Sequence, residues 1–139
     1  MNNDQLKDFI TGALVIDKPI GMTSHDIVKV VRQGTGIRRA GHTGTLDPRA
    51  SGVLVVLIGP AVRLSEFLSA SDKRYQAILR FGVATDTYDT EGKQVGETKS
   101  VDHITEDDFQ DLLRKYEGKI AQVPPAHSAI KVNGEKAYD

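Results

Sequence analysis

The sequence contains no cysteine. This removes disulfides, thiolate zinc sites and cysteine nucleophiles together, and leaves carboxylates, hydroxyls, amines and imidazoles as the groups available for chemistry. Its four histidines are too scattered to show a metal-ligand spacing. Long apolar runs are also missing. The longest, Gly52 to Gly59, has the length of a buried strand, far short of the roughly 20 residues a membrane-spanning helix needs. The first residues, Met1-Asn-Asn-Asp-Gln-Leu-Lys-Asp8, lack the basic start and apolar stretch of a secretory signal, and nothing resembles an Arg-rich transit peptide. The cytoplasm is therefore the expected compartment, and no membrane partner is expected. Repeats and low-complexity segments are absent too.

What is present is ordinary in bulk: 139 residues, 39% hydrophobic and 27% charged, enough for one globular domain or part of a larger one. The formal net charge of -1 hides an asymmetry. From Lys18 to Arg80 ten basic residues face four acidic ones, a net of +6; from Phe81 to Glu117 four face ten, a net of -6. A basic stretch can attract a polyanion while an acidic one keeps the protein dissolved, although two solvated faces that merely differ would give the same count.

Periodicity places three strands, at Gly12 to Asp17, Val53 to Ile58 and Tyr75 to Phe81. In the third, Tyr75, Ala77, Leu79 and Phe81 share one face and Arg74, Gln76 and Arg80 the other. A helix is expected after Thr23-Ser24, with Ile27, Val30 and Val31 turned inward and Gly34 and Gly36 ending it. A second starts at Pro60 and carries Val62, Leu64, Phe67 and Leu68. The third follows the capping pair Thr105 and Asp108, with Phe109, Leu112, Leu113 and Tyr116 inward, before Gly118. Lys119 to Val123 and Ala129 to Val132 read as short strands, with a tight turn at Asn133-Gly134. The irregular alternation favours an α+β fold with a mixed, largely antiparallel sheet and flanking helices. Residues 1–11 form a polar lead and 12–139 a domain portion; the chain stops inside what reads as an element, so truncation is expected.

The loop Gly41-His-Thr-Gly-Thr-Leu-Asp-Pro-Arg-Ala-Ser-Gly52 combines turn-forming residues with one carboxylate, Asp47. Asp-Pro is common in plain surface turns. Here, however, His42 and Arg49 flank it, Arg38 and Arg39 lie just upstream, and a buried strand follows that would hold it rigidly. Phosphoryl-aspartate chemistry usually needs an Asp-x-Asp pattern with magnesium, and no second acid lies within ten residues of Asp47. Retaining glycosidases pair the nucleophile with a carboxylate about 5 Å away, and the basic half offers no evident partner. Attack at or beside an anomeric carbon fits if the leaving group is a stabilised nucleobase anion such as uracil.

Gly41-His-Thr-Gly-Thr-Leu-Asp-Pro48 with Ala50-Ser-Gly-Val-Leu54 resembles the catalytic motif of the TruB family of tRNA pseudouridine synthases. Asp17-Lys-Pro-Ile-Gly-Met-Thr-Ser24 resembles the family's first motif. Lys73-Arg-Tyr-Gln-Ala77 with Gly82-Val-Ala-Thr-Asp-Thr-Tyr-Asp89 and Gly92 resembles the second, and Gln122-Val-Pro-Pro125 with Ser128 to Gly134 a third. The resemblance covers nearly all of Gly12 to Asp139.

It implies an incomplete pseudouridine synthase catalytic domain acting on the T-loop of tRNA at position 55. Asp47 matches the aspartate that acts on the ribose so that uracil leaves through N1, rotates and rejoins through C5; attack at C1′ and proton removal at C2′ both stay open. Tyr75 matches the tyrosine that stacks on the flipped base, and His42 a position that contacts RNA beside it. By period alone Tyr75 is a core residue, and His42 a solvated loop residue. Arg38, Arg39 and Arg49 are candidate RNA-backbone contacts, and Lys18 and Pro19 candidate supports of the loop. No cofactor and no metal are implied, and a monomer is expected. The family's domain continues further, adding a tyrosine, a basic residue that pairs with the aspartate and a leucine, and many members carry a C-terminal RNA-binding module. His127 stands where a tyrosine is common. A non-catalytic RNA-binding or chaperone fragment is the alternative.

Overall fold

The period-two pattern of Gly12–Lys18 builds the first strand, β1, whose even positions Leu14 and Ile16 turn inward while Ala13, Val15 and Asp17 face out. The computed structural model describes residues 9–121 and, for their backbone alone, 131–132 and 135–136. It divides after Tyr75 into two compact units.

In the first unit β1 pairs antiparallel with β3 (Gly52–Ile58), Gly12 opposite Ile58 and Lys18 opposite Gly52. A three-residue strand the sequence did not suggest, β2 (Ala40–His42), lines the other edge of β3, giving the order β1-β3-β2. Helix α1 (Ser24–Thr35) covers the inner face. It starts in a full capping box: the Thr23 hydroxyl accepts from the Asp26 N–H, and the Asp26 carboxylate accepts from the Thr23 N–H and hydroxyl. It stops at Gly36, whose φ of 69° lets its N–H reach the Arg32 carbonyl. The core joins Ile27, Val28 and Val31 to Ile37, Ala40, Leu54, Val56 and Ile58. Val30 does not belong to it, being 53% exposed. At about 100° per residue, Ser24, Ile27, Val28 and Val31 form one stripe and Val30 falls beside it.

The helix expected from Pro60 is instead a 3-10 segment, Gly59–Leu64, followed by a short α2, Ser65–Ser69. Gly59 has a φ of 62°, and the Ile10 carbonyl occupies the space a Cβ would need. Its N–H donates to the Arg39 carbonyl at 2.7 Å, and the next turn is tied by Ala61 N–H to the Thr11 hydroxyl. The segment thereby packs on the outer face of the sheet, with Val62 against Gly41, and buries Leu57. Of the apolar residues expected on that helix, Leu64, Phe67 and Leu68 are exposed.

The strand expected from Tyr75 to Phe81, all but its first residue in the second unit, is absent. These residues are exposed, Ile78 98% so, and have no ladder partner among the described residues. Alternation prepares a strand's faces, but a strand also needs a neighbour for its N–H and C=O groups. Only a small hairpin forms nearby, β4 (Ala84–Thr85) with β5 (Gln94–Val95). Helix α3 (Glu106–Arg114) begins at Thr105 with the expected capping box. Of its apolar residues only Phe109 is half-buried, its ring edge-on to Phe81 at 5.5 Å, while Leu112, Leu113 and Tyr116 stay exposed. Residues 119–121 form no strand, and 122–123, 129–130 and the turn 133–134 lie outside the described residues. Strand β6 (Lys131–Val132) pairs antiparallel with β7 (Glu135–Lys136). The fold is α+β, as expected, and every described strand pair is antiparallel.

The Asp26 carboxyl is held well below the usual carboxylate range by hydrogen bonds from the Thr23 side chain, then Lys29, then the Thr23 N–H. A carboxylate with a depressed folded pKa stabilises the fold above its unfolded pKa and ceases to do so as pH falls through the folded value. Thr23→Ala should cost about 1 kcal/mol in urea unfolding near neutral pH. The gap between wild type and Asp26→Asn should shrink once pH drops below about 4.

Candidate active site

The loop from Thr43 to Ser51 connects β2 to β3, so both of its ends are fixed by the sheet. Thr43 N–H donates to the Val55 carbonyl at 3.0 Å, extending the β2–β3 ladder by one bond. At its centre the backbone on either side of Asp47 is tied to the segment between β1 and α1. Leu46 N–H donates to Ser24 Oγ at 2.8 Å, and Ser24 Oγ donates to the Leu46 carbonyl at 3.2 Å. Gly21 N–H donates to the Pro48 carbonyl at 2.7 Å. Ala50 N–H closes a turn onto the Asp47 carbonyl at 3.0 Å. The Asp47 side chain itself is exposed and makes no hydrogen bond or ion pair among the described residues.

The segment that holds the loop is in turn organised by Lys18. Period two turns Lys18 to the inner face of β1, in line with Leu14 and Ile16, and it has no exposed surface. Its Nζ donates to the Pro19 carbonyl at 2.9 Å and to the Met22 carbonyl at 2.7 Å. A buried amine satisfied by two carbonyls of one turn fixes that turn's shape. Pro19, exposed, restricts its entry. Lys18 and Pro19 are thus connected, through Gly21 and Ser24, to both neighbours of Asp47.

The other sequence candidates are placed more loosely. His42 ends β2 on the same face as Ala40 and is half-buried; its Nδ1 is shielded from water and has no hydrogen-bond partner. Arg38 and Arg39 are exposed just before β2, and Arg49 is exposed two residues after Asp47. Tyr75 closes the first unit, is 69% exposed, and its ring makes no aromatic contact among the described residues. Reading the sequence missed the roles of Gly21 and Ser24. Ser24 looked like a helix-start residue, and a spacing of 22 residues to Leu46 carries no local signal. Among the described residues no cluster of His, Asp or Glu is arranged to hold a metal ion, and no helix is long and apolar enough to cross a membrane.

Residues 32–139 match the family model described as TruB family pseudouridylate synthase (N terminal domain). The chain belongs to the TruB family. It is 49% identical over 130 residues to the tRNA pseudouridine synthase B of Symbiobacterium thermophilum, which covers 94% of this chain and 43% of that protein. It is 44% identical over 131 residues to the protein of the same name from Bacillus subtilis, covering 94% and 42%. This TruB-family chain thus spans less than half the length of the curated relatives it matches. Among solved structures, one chain in the crystal structure of a Cbf5-Nop10-Gar1 complex superposes with a TM-score of 0.57 at 28% identity, covering 94% of this chain and 33% of that one.

Lys18→Met keeps an apolar stem but removes both donors, leaving the Pro19 and Met22 carbonyls unpaired. Such a loss should lower stability by roughly 1–3 kcal/mol, read as a lower urea midpoint with an unchanged slope.

Proposed function

We propose that the protein to which this chain belongs isomerises a uridine in the T-loop of tRNA, at position 55, to pseudouridine, with Asp47 as the reacting carboxylate. The observation that carries this reading is the contrast within three residues: the backbone at Leu46 and Pro48 is bonded on both sides, while the carboxylate between them is exposed. A fixed backbone presenting a free carboxylate suits a group that must meet one atom of a bound ribose. Membership of the TruB family and the names of its relatives support the same chemistry.

In this reading Asp47 acts at the ribose and the bond from C1′ to N1 breaks. Uracil turns, a bond forms from C1′ to C5, and the proton on C5 is released while N1 gains one. Atoms and electrons balance within the nucleotide, so no oxidant, ATP, metal or other cofactor is required. His42 and Tyr75 are the substrate-binding candidates. Tyr75 would offer a stacking surface for the extruded base, offsetting about 1–3 kcal/mol of lost stacking. Its exposure leaves the ring free to do so. Arg38, Arg39 and Arg49 would neutralise phosphates, and Lys18 and Pro19 support the loop from behind. The protein would act as a monomer on tRNA in the cytoplasm.

The test joins this chain to the C-terminal remainder of the Bacillus subtilis relative and follows tritium release from tRNA carrying [5-3H]uridine. Wild type should release tritium. Asp47→Asn should release none, with tRNA affinity held within a few fold. Turnover by that variant would overturn the role of Asp47; salt-dependent tRNA binding without pseudouridine, even by wild type, would favour a non-catalytic RNA-binding protein.

A further inference from the structure

We propose that Ser24 is a positioning residue for Asp47, its hydroxyl acting as a two-way bridge that sets where the carboxylate points. The inference rests on the function proposed for Asp47 and adds a residue that acts on it from outside the loop.

Ser24 Oγ does two things at once: it accepts the Leu46 N–H at 2.8 Å and donates to the Leu46 carbonyl at 3.2 Å. One hydroxyl thus engages both polar groups of the residue immediately before Asp47. The pair of bonds restrains the rotation of the peptide units on either side of the Leu46 Cα, and the second of those units is the one that carries the Asp47 nitrogen. Ser24 is itself only 2% exposed, so water does not compete for the bridge. It also stands on rigid ground. It is the first residue of α1, on the stripe that Ile27, Val28 and Val31 dock onto the sheet. The far side of Asp47 is held by the bond from Gly21 to Pro48 and by the turn that Ala50 N–H closes onto the Asp47 carbonyl. Removal of the hydroxyl would leave the carboxylate anchored at one side and two backbone groups without a protein partner.

A hydroxyl is required on chemical grounds. Alanine offers neither donor nor acceptor, cysteine only a weak donor and a weak acceptor, and threonine keeps both functions at the cost of a methyl in a buried site. Thr23 provides an internal comparison. It is the adjacent residue and caps the same helix, yet its bonds run to Asp26 and not to the loop.

The experiment uses the same joined protein. Ser24→Ala should lower kcat about 10- to 100-fold, the range expected when a reacting group is misplaced by about an ångström, while KM for tRNA stays within a few fold. Ser24→Cys should fall between alanine and wild type. Thr23→Ala should lower the melting temperature yet keep kcat near wild type. Hydrogen exchange adds a readout separate from activity: the Leu46 amide should lose protection in Ser24→Ala, and the amides in the middle of α1 should keep theirs. A kcat for Ser24→Ala or Ser24→Cys equal to wild type, or a Thr23→Ala loss as large as that of Ser24→Ala, would overturn the proposal. The two readings fail separately. If Asp47→Asn turns over, Asp47 is misassigned; if Asp47→Asn is dead while Ser24→Ala is fully active, only Ser24 is.

Discussion

A single buried hydroxyl connects the core of the first unit to its exposed carboxylate. Ser24 belongs at once to the hydrophobic stripe of α1 and, through Leu46, to the loop that presents Asp47. Apolar packing is insensitive to direction; it holds α1 against the sheet but does not dictate how a neighbouring loop is oriented. Hydrogen bonds with defined lengths do that, and they hold best where water cannot substitute for them. The arrangement therefore uses Ile27, Val28 and Val31 for adhesion and Ser24 for orientation.

The same division recurs one turn earlier. Lys18 occupies a position that the strand period reserves for an apolar side chain, and its stem lies in line with Leu14 and Ile16. Its amine spans the Pro19 and Met22 carbonyls, so the turn that supplies Gly21 and Ser24 is shaped from beneath. The backbone on both sides of Asp47 is bonded, while its side chain is exposed, as are Arg38, Arg39 and Arg49. That contrast, a fixed backbone carrying an accessible side chain, is what the function proposed for Asp47 needs.

Where sequence periodicity is strong and both partners of an interaction are close in the chain, the fold was legible. β1, β3, α1 with its Thr23 cap and Gly36 stop, and the capping box at Thr105 all lie where the residue pattern puts them. β2 was not legible, because three residues, one of them glycine, carry no period. The segment from Tyr75 to Phe81 has the alternation of a strand without the ladder, since the pattern records which faces can be buried and not whether a neighbour is there. The inner face of α3 has the same limit: Leu112 and Leu113 are spaced for a core that the described residues do not provide. At the candidate site, the loop that carries Asp47 stood out by its motif. The roles of Ser24 and Gly21 did not, because what each bonds to lies more than twenty residues away.

The long reach of these bonds also bears on the order in which the protein assembles. Among the described residues, the hydrogen bonds that fix Leu46 and Pro48, and the strand pairing that brings them within reach, lie between Gly12 and Ile58. Chains fold from the N-terminus as they emerge during synthesis, so the loop can reach its bonded form while later residues are still being added. Tyr75 to Phe81 emerge afterwards as an apolar, strand-patterned stretch without a ladder partner. Such stretches pair readily with other chains. Once that stretch has emerged, the nascent chain offers an edge to its neighbours, and a chaperone has a surface to shield.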